Sequence, residues 1–193
     1  MLFYYDFETT GLNPFHNKII EYSFLNTNGM SIQSLINPES TLSQTITRIT
    51  GITNQMIQDS PTIDNKKEEI IKFLNMHNTE CIYIVAHNNC NFDRFFFRNI
   101  FKNDPLWEPI LNSKVRYIDS IHLAKYILPN NQRFSLQILC KYFNITPGTH
   151  RAHSDTQALK LLFEKLLQLL SKKENISVEE FIKNPKLIYN TIY

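Results

Sequence analysis

At 193 residues, 42% hydrophobic and 12% aromatic, with only 4 Gly and 8 Pro against 14 Phe and a formal charge of +2, the sequence excludes collagen-like, low-complexity and disordered classes. A chain of this length buries roughly 70% of its unfolded surface and needs no covalent staples. Cys81, Cys90 and Cys140 lie far apart with no Cys-x-x-Cys pair, so neither a disulfide framework nor a zinc knuckle is indicated. A reducing compartment, intracellular and by default cytoplasmic, is the expectation. The start, Met1 to Asp6, carries no basic region ahead of an apolar one, and no apolar run approaches 18 residues, so neither secretion nor membrane insertion is expected. A pI near 8.4 permits a polyanionic partner without requiring one.

Leu2 to Glu8 alternates in two apolar sets and reads as a strand buried on both faces that ends in carboxylates. Thr9 to Pro14 supplies turn chemistry, Ile19 to Leu25 a second strand, and Asn28-Gly29 a hairpin signal into a third, Ser31 to Ile36. These three predict an antiparallel meander. Short helices are then expected at Thr53 to Gln58 and Lys66 to Met76, a buried strand at Cys81 to Ala86, and a helix over Phe92 to Lys102. A short strand at Arg116 to Ile118 and helices at Ser120 to Tyr126 and Ser135 to Phe143 follow, with loops at Pro129 and Pro147. The longest helix runs from Ala152 to about Leu170, with Leu159, Leu162, Phe163, Leu166 and Leu169 on one face. Ser177-Val178-Glu179-Glu180 reads as the start of a terminal helix. Hairpins first and βα units afterwards imply an α/β sandwich with a mixed sheet and helices on both faces, in one domain.

Asp6 and Glu8 are two apart on a strand, so both side chains leave one face, with Cα atoms about 6 to 7 Å apart. An isolated Asp-x-Glu is most simply a solvated strand end. Within an aromatic central strand, however, two acids call for a counter-charge, and a bound cation supplies it economically. Asp93 opens a helix after the buried strand and the polar run His87 to Asn91. Alone it reads as an acid favoured by the helix dipole. Asp155 lies in the first turns of the longest helix, with His150 in the loop before it, an arrangement that alone reads as a surface His and its acid. Together, four acids and one His can meet at the carboxyl ends of the sheet strands. Such an oxygen-rich set suits Mg²⁺ or Mn²⁺ rather than zinc. Two such ions clamp the attacking and leaving oxygens of a phosphoryl displacement, and a near-neutral His can take a proton from water. Phosphodiester hydrolysis is the implied reaction.

These residues resemble the DEDDh exonucleases, the DnaQ-like 3′→5′ exonucleases of RNase H-like fold. Asp6-Phe7-Glu8-Thr9-Thr10-Gly11-Leu12 is similar to the family's first motif; Ala86-His87-Asn88 with Phe92-Asp93 resembles the second; His150-Arg151-Ala152 with Asp155 resembles the third. The resemblance implies a three-layer sandwich around a five-stranded mixed sheet, with residues 1–172 as the exonuclease domain and 173–193 as a helical extension of it. It implies Asp6, Glu8, Asp93 and Asp155 as ligands of two Mg²⁺ or Mn²⁺ ions and His150 as general base. The sister branch carries a Tyr four residues before the last Asp; Arg151 stands there, which favours the His branch. The five-residue offset selects His150 over His153. Thr9, Thr10, Gly11 and Leu12 would hold the terminal nucleotide, with Leu12 wedged on the last base, and His87 and Asn88 would line the same pocket. The implied substrate is nucleic acid with a single-stranded 3′ end, DNA slightly favoured, and the product a nucleoside 5′-monophosphate. The alternatives are an RNA-trimming enzyme, a polymerase-associated proofreader and an inactive binding module; a homodimer or polymerase partner is open. Thr50 departs from the family in standing where many members carry a His before Gly-Ile-Thr. Arg94, Arg98 and Lys102 recur at four-residue spacing on one helix, as a solvated face or a stripe for a phosphate backbone.

Overall fold

The computed structural model describes residues 2–76 and 80–193. Five strands, β1 (Leu2–Thr9), β2 (Ile19–Asn26), β3 (Ser31–Leu35), β4 (Ile82–Ala86) and β5 (Val115–Asp119), form one sheet in the order β3-β2-β1-β4-β5. The β1–β2 and β2–β3 pairs are antiparallel, and β1–β4 and β4–β5 are parallel. The mixed sheet has helices on both faces, as the patterning predicts, because alternate residues of β1 bury into different layers. Phe3, Tyr5 and Phe7 enter one core with Phe96, Phe97 and Trp107; Leu2 and Tyr4 enter the other with Leu159, Leu162 and Phe163.

Helices α1 (Gln44–Thr50) and α2 (Asn54–Ile57) cover a small third cluster around Ile20, Leu42, Ile52 and Ile57. Helices α3 (Ile63–Leu74), α4 (Asp93–Ile100) and α5 (Trp107–Lys114) pack on the aromatic face. Helices α6 (Ser120–Ile127), α7 (Leu136–Tyr142), α8 (Ala152–Glu174), α9 (Val178–Lys183) and α10 (Lys186–Ile192) pack on the other. The terminal segment holds two helices rather than one, because Asn184-Pro185 ends the first and Pro185 sets the start of the second. Phe181 and Ile188 are buried in the α8 core. No helix among the described residues is long and apolar enough to cross a membrane.

Two features position the site. The parallel pairing of β1 with β4 covers only Leu2 to Tyr4, so β1 runs on past its neighbour and exposes a sheet end at Asp6. Register then shifts between Glu8 and Thr9, which bends the strand into its turn. Behind this end, the wholly buried Asn89 accepts a hydrogen bond from the Tyr5 hydroxyl and donates to the Ile84 and Ile118 carbonyls at 3.3 and 2.9 Å, tying β1, β4 and β5 together.

Candidate active site

Asp6 and Glu8 leave β1 on the α8 face and line one cavity of about 300 Å³ with His87, Gln137, His150 and Asp155. One donor atom each of Glu8, His150 and Asp155 lies within 4.8 Å of the others. Asp93, 2% exposed, sits just beneath, at the first turn of α4 against the Phe7 backbone. One of its carboxylate oxygens is buried with no hydrogen-bond partner.

The electrostatics follow from this crowding. Burial, then repulsion from Asp93, Glu8 and Asp155, holds the Asp6 carboxyl well above the usual carboxylate range. Burial and the charges of Asp155 and Glu21 push Glu8 up to about 8, against the pull of Arg151. Burial also raises Asp93 strongly, although its own and the Phe7 backbone groups oppose the shift. Asp155 is raised by burial and restrained chiefly by His150. Four acids that repel one another, one with a buried unpartnered oxygen, are a donor set short of positive charge. The residues therefore fit a divalent cation, and the all-oxygen carboxylate set matches a hard one.

The third segment is built from α8 backwards. Glu21 of β2, directly opposite Glu8, accepts from Arg151 Nε and Nη2 and from the Ala152 backbone N–H at 2.8 Å. This ties the first turn of α8 to the sheet, and Asp155 follows on that turn. His150 adopts a left-handed backbone, φ 55°, and its Nε2 meets Gln137 Nε2 at 3.1 Å. With that amide donating, the Nε2 lone pair is the acceptor of the contact, so Nε2 is the ring nitrogen that can take a proton when the amide gives way. Gly148 approaches so closely that a Cβ there would lie 1.7 Å from Asp155 Oδ1. His153 lines a different cavity, with Glu21, Arg151 and Gln33.

The turn after Glu8 is pinned from within. Thr9 donates to the Gly11 carbonyl at 2.7 Å, Thr10 Oγ1 accepts from the Lys18 backbone, and Gly11 lies against the Asn17 side chain with no room for a Cβ. At its tip Leu12 and Phe15 are 82% and 79% exposed. His87 lines the acid cavity, its Nδ1 bonded to Ser120 at 2.8 Å, and burial lowers its pKa. Asn88 does not join that cavity. It holds a left-handed backbone, φ 64°, its N–H donates to Asp119 and its Oδ1 accepts from Asn91. Cys90, Asp119 and His122 also approach one another, but both Asp119 oxygens are occupied by the backbone N–H groups of Asn88, Cys90 and Ile121.

A family model described as "Exonuclease" matches residues 3–163. The chain belongs to the exonuclease family. This is the family of the DEDD-type 3′→5′ exonucleases, of RNase H-like fold. The PolC-type DNA polymerase III of Bacillus cereus is 33% identical over 174 residues, 88% of this chain, and that of Thermotoga maritima 33% over 175 residues, 86%. The chain spans only 11% and 12% of those relatives. Among solved structures, the exonuclease fold recurs in an Escherichia coli exonuclease I–single-stranded DNA complex (TM-score 0.70, 19% identity, 93% of this chain and 42% of that one). It recurs also in exonuclease X with 5′-overhanging duplex DNA (TM-score 0.62, 23% identity, 95% and 98%).

Three contributors to this candidate site were not singled out from sequence: Gln137, Gly148 and the pairing of Glu21 with Arg151. Only Gly148 carried a signal, a glycine beside Pro147 shortly before His150.

Proposed function

We propose that the chain is an active, metal-dependent exonuclease that hydrolyses single-stranded nucleic acid, with DNA preferred, from the 3′ end and releases nucleoside 5′-monophosphates. The observation that carries this reading is the convergence of Asp6, Glu8, Asp93 and Asp155 with His150 at one sheet end. The four carboxylates would hold two Mg²⁺ or Mn²⁺ ions, which when bound offset the charge of the phosphate and of the attacking and leaving oxygens. His150 Nε2 exchanges the Gln137 amide for the attacking water and takes its proton, the new P–O bond forms as the bond to the 3′ oxygen breaks, and that oxygen leaves with a proton drawn from solvent. Gln137 holds the imidazole over the cavity. The pinned Thr9 to Gly11 turn seats the terminal nucleotide, and the exposed Leu12 packs on its base. Phe15, on the same turn tip, offers a ring for stacking.

A second reading, an exonuclease module working with a polymerase, is favoured by the PolC-type relatives, of which this chain matches a small part. A gel time course on matched 5′-labelled single-stranded DNA and RNA oligomers, with Mg²⁺, with Mn²⁺ and with EDTA, tests the main reading. A metal-dependent ladder shortening from the 3′ end is expected, faster on DNA and absent in Asp6→Ala. Intact oligomers under every condition, despite measurable binding, would make the chain a binding module instead.

A further inference from the structure

A second cavity, of about 480 Å³, opens at the free edge of the sheet beside β5 and shares no lining residue with the acid cavity. Arg94 and Arg98 reach it from successive turns of α4, Arg116 from β5 itself, and Tyr189 and Tyr193 from α10 and the residue after it. No Asp or Glu lines it. Among the described residues none of the three arginines forms an ion pair. Their contacts are neutral: Arg94 lies over the Phe95 ring, Arg98 donates to Asn112, and Arg116 donates to the Ser113 and Val115 carbonyls.

Like charges four residues apart on a helix repel, and a third guanidinium from the neighbouring strand adds to that repulsion. Tyr117 lines the same cavity, and its buried hydroxyl has no hydrogen-bond partner. Arg98 and Arg94 both act on it electrostatically, which puts this hydroxyl near cations that have no counter-charge. An anion with several acceptor oxygens would supply the counter-charge that the three guanidinium groups lack. Beside them the Tyr189 and Tyr193 rings lie 4.8 Å apart, and Tyr193 is 52% exposed. Guanidinium forks next to accessible aromatic rings are the chemistry that holds phosphates and stacks bases.

We propose that this edge cavity is a second nucleic-acid site, in which Arg94, Arg98 and Arg116 hold backbone phosphates of a single strand away from its scissile 3′ end. The inference rests on the reading of the chain as a protein that acts on nucleic acid. Short substrates would use the acid cavity alone, and longer ones both.

The test is fluorescence anisotropy of a labelled single-stranded 20-mer in EDTA, where nothing is cut, across a salt series. It compares the wild type with the variant Arg94→Gln/Arg98→Gln/Arg116→Gln and with the single exposed change Arg98→Gln, each checked for an unaltered melting transition. Affinity for the 20-mer is expected to fall at least tenfold in the triple variant and two- to fourfold in the single one. The slope of log affinity against log salt should flatten by about 2, close to 0.7 per lost phosphate contact. Arginine-to-lysine changes at the same three positions should restore the slope. Hydrolysis of a dinucleotide with Mg²⁺ should keep its kcat/KM within twofold. Equilibrium dialysis with radiolabelled dTMP separates the two phosphate sources. Loss of dTMP binding with 20-mer affinity intact would make the occupant a free nucleotide and overturn strand docking. Unchanged binding of both would overturn the site altogether. If the arginine variants lose the 20-mer but wild type cuts neither substrate, the nuclease reading fails and the edge site stands.

Discussion

At the residue scale, the proposed function gives the four acids the holding of charge and His150 the moving of a proton, and each role has its own variant. Asp6→Ala removes a central carboxylate of the cluster and is expected to abolish turnover through lost metal, with Mn²⁺ binding by calorimetry as the check. His150→Ala should leave metal and oligomer binding near wild type while lowering kcat by about 10²- to 10⁴-fold. Normal cleavage by that variant together with a dead His153→Ala would reverse the assignment. Gly148→Ala tests a contact invisible to motif reading. Its methyl group would collide with the Asp155 carboxylate, so the loop or the helix start must shift; metal affinity should drop at least tenfold while far-ultraviolet dichroism stays native. The acids and His150 were legible because their chemistry and spacing survive in one dimension. Gln137 and Asn89 were not, since a Gln on a short helix or an Asn after a strand gains meaning only from what the fold places opposite. Asn88 illustrates the converse: its motif position suggests the pocket, but its left-handed backbone commits it to Asp119 and Asn91.

At the element scale, most strands and helices emerge within a residue or two of where periodicity puts them, but α3 starts three residues before Lys66, α8 runs on four residues past Leu170 to Glu174, and α1 and α5 were not anticipated. Helix α1, Gln-Thr-Ile-Thr-Arg-Ile-Thr, was missed because its β-branched run disfavours helix. Ser43 accepting from the Ile46 N–H and Gly51 at φ 71° close it as a helix. Helix α5 carries Pro109 in its first turn, where the missing N–H costs nothing although proline elsewhere signals a loop. The element on which function turns is the start of α8, which has no side-chain N-cap of its own and is anchored by Glu21 instead. Arg151→Ala would leave the nearly buried Glu21 charge without its partner and facing Glu8, an expected loss of about 2 to 4 kcal/mol, or roughly 5 to 10 °C in melting temperature. Because Arg151 holds the Glu8 carboxyl down, the same variant should shift the midpoint of the pH–rate profile upward. Arg151→Lys should restore the midpoint more fully than the stability, since lysine keeps the charge without the two-pronged geometry. An unmoved midpoint in Arg151→Ala would make the pair purely structural.

At the scale of the whole molecule, the clustered acids tie stability to proton and metal concentration. The Glu8 carboxyl titrates at about 8 in the folded chain against 4.5 ordinarily, and Asp6, Asp93 and Asp155 are shifted in the same direction. Between those values the folded chain binds more protons than the unfolded one, so this contribution is fully present below about pH 4.5 and is lost as pH rises through 8. His87 works oppositely, since burial lowers its pKa below 6.5 and its contribution is lost as pH falls through that range. A melting curve of the metal-free protein therefore mixes two limbs. The difference between melts with and without divalent cation is governed by the carboxylates, because protons and metal compete for them directly, whereas the His87 limb is present in both melts. The increment produced by Mg²⁺ or Mn²⁺ is thus expected to be small at pH 5 and to grow steadily to pH 8. At a hundredfold excess over the dissociation constant it should reach about 2.7 kcal/mol, roughly 5 to 10 °C. In Asp155→Asn, which removes one of the repelling charges, the metal-free protein should melt higher at pH 8 than wild type and the increment should shrink. A wild-type increment independent of pH would place the cation away from these four acids.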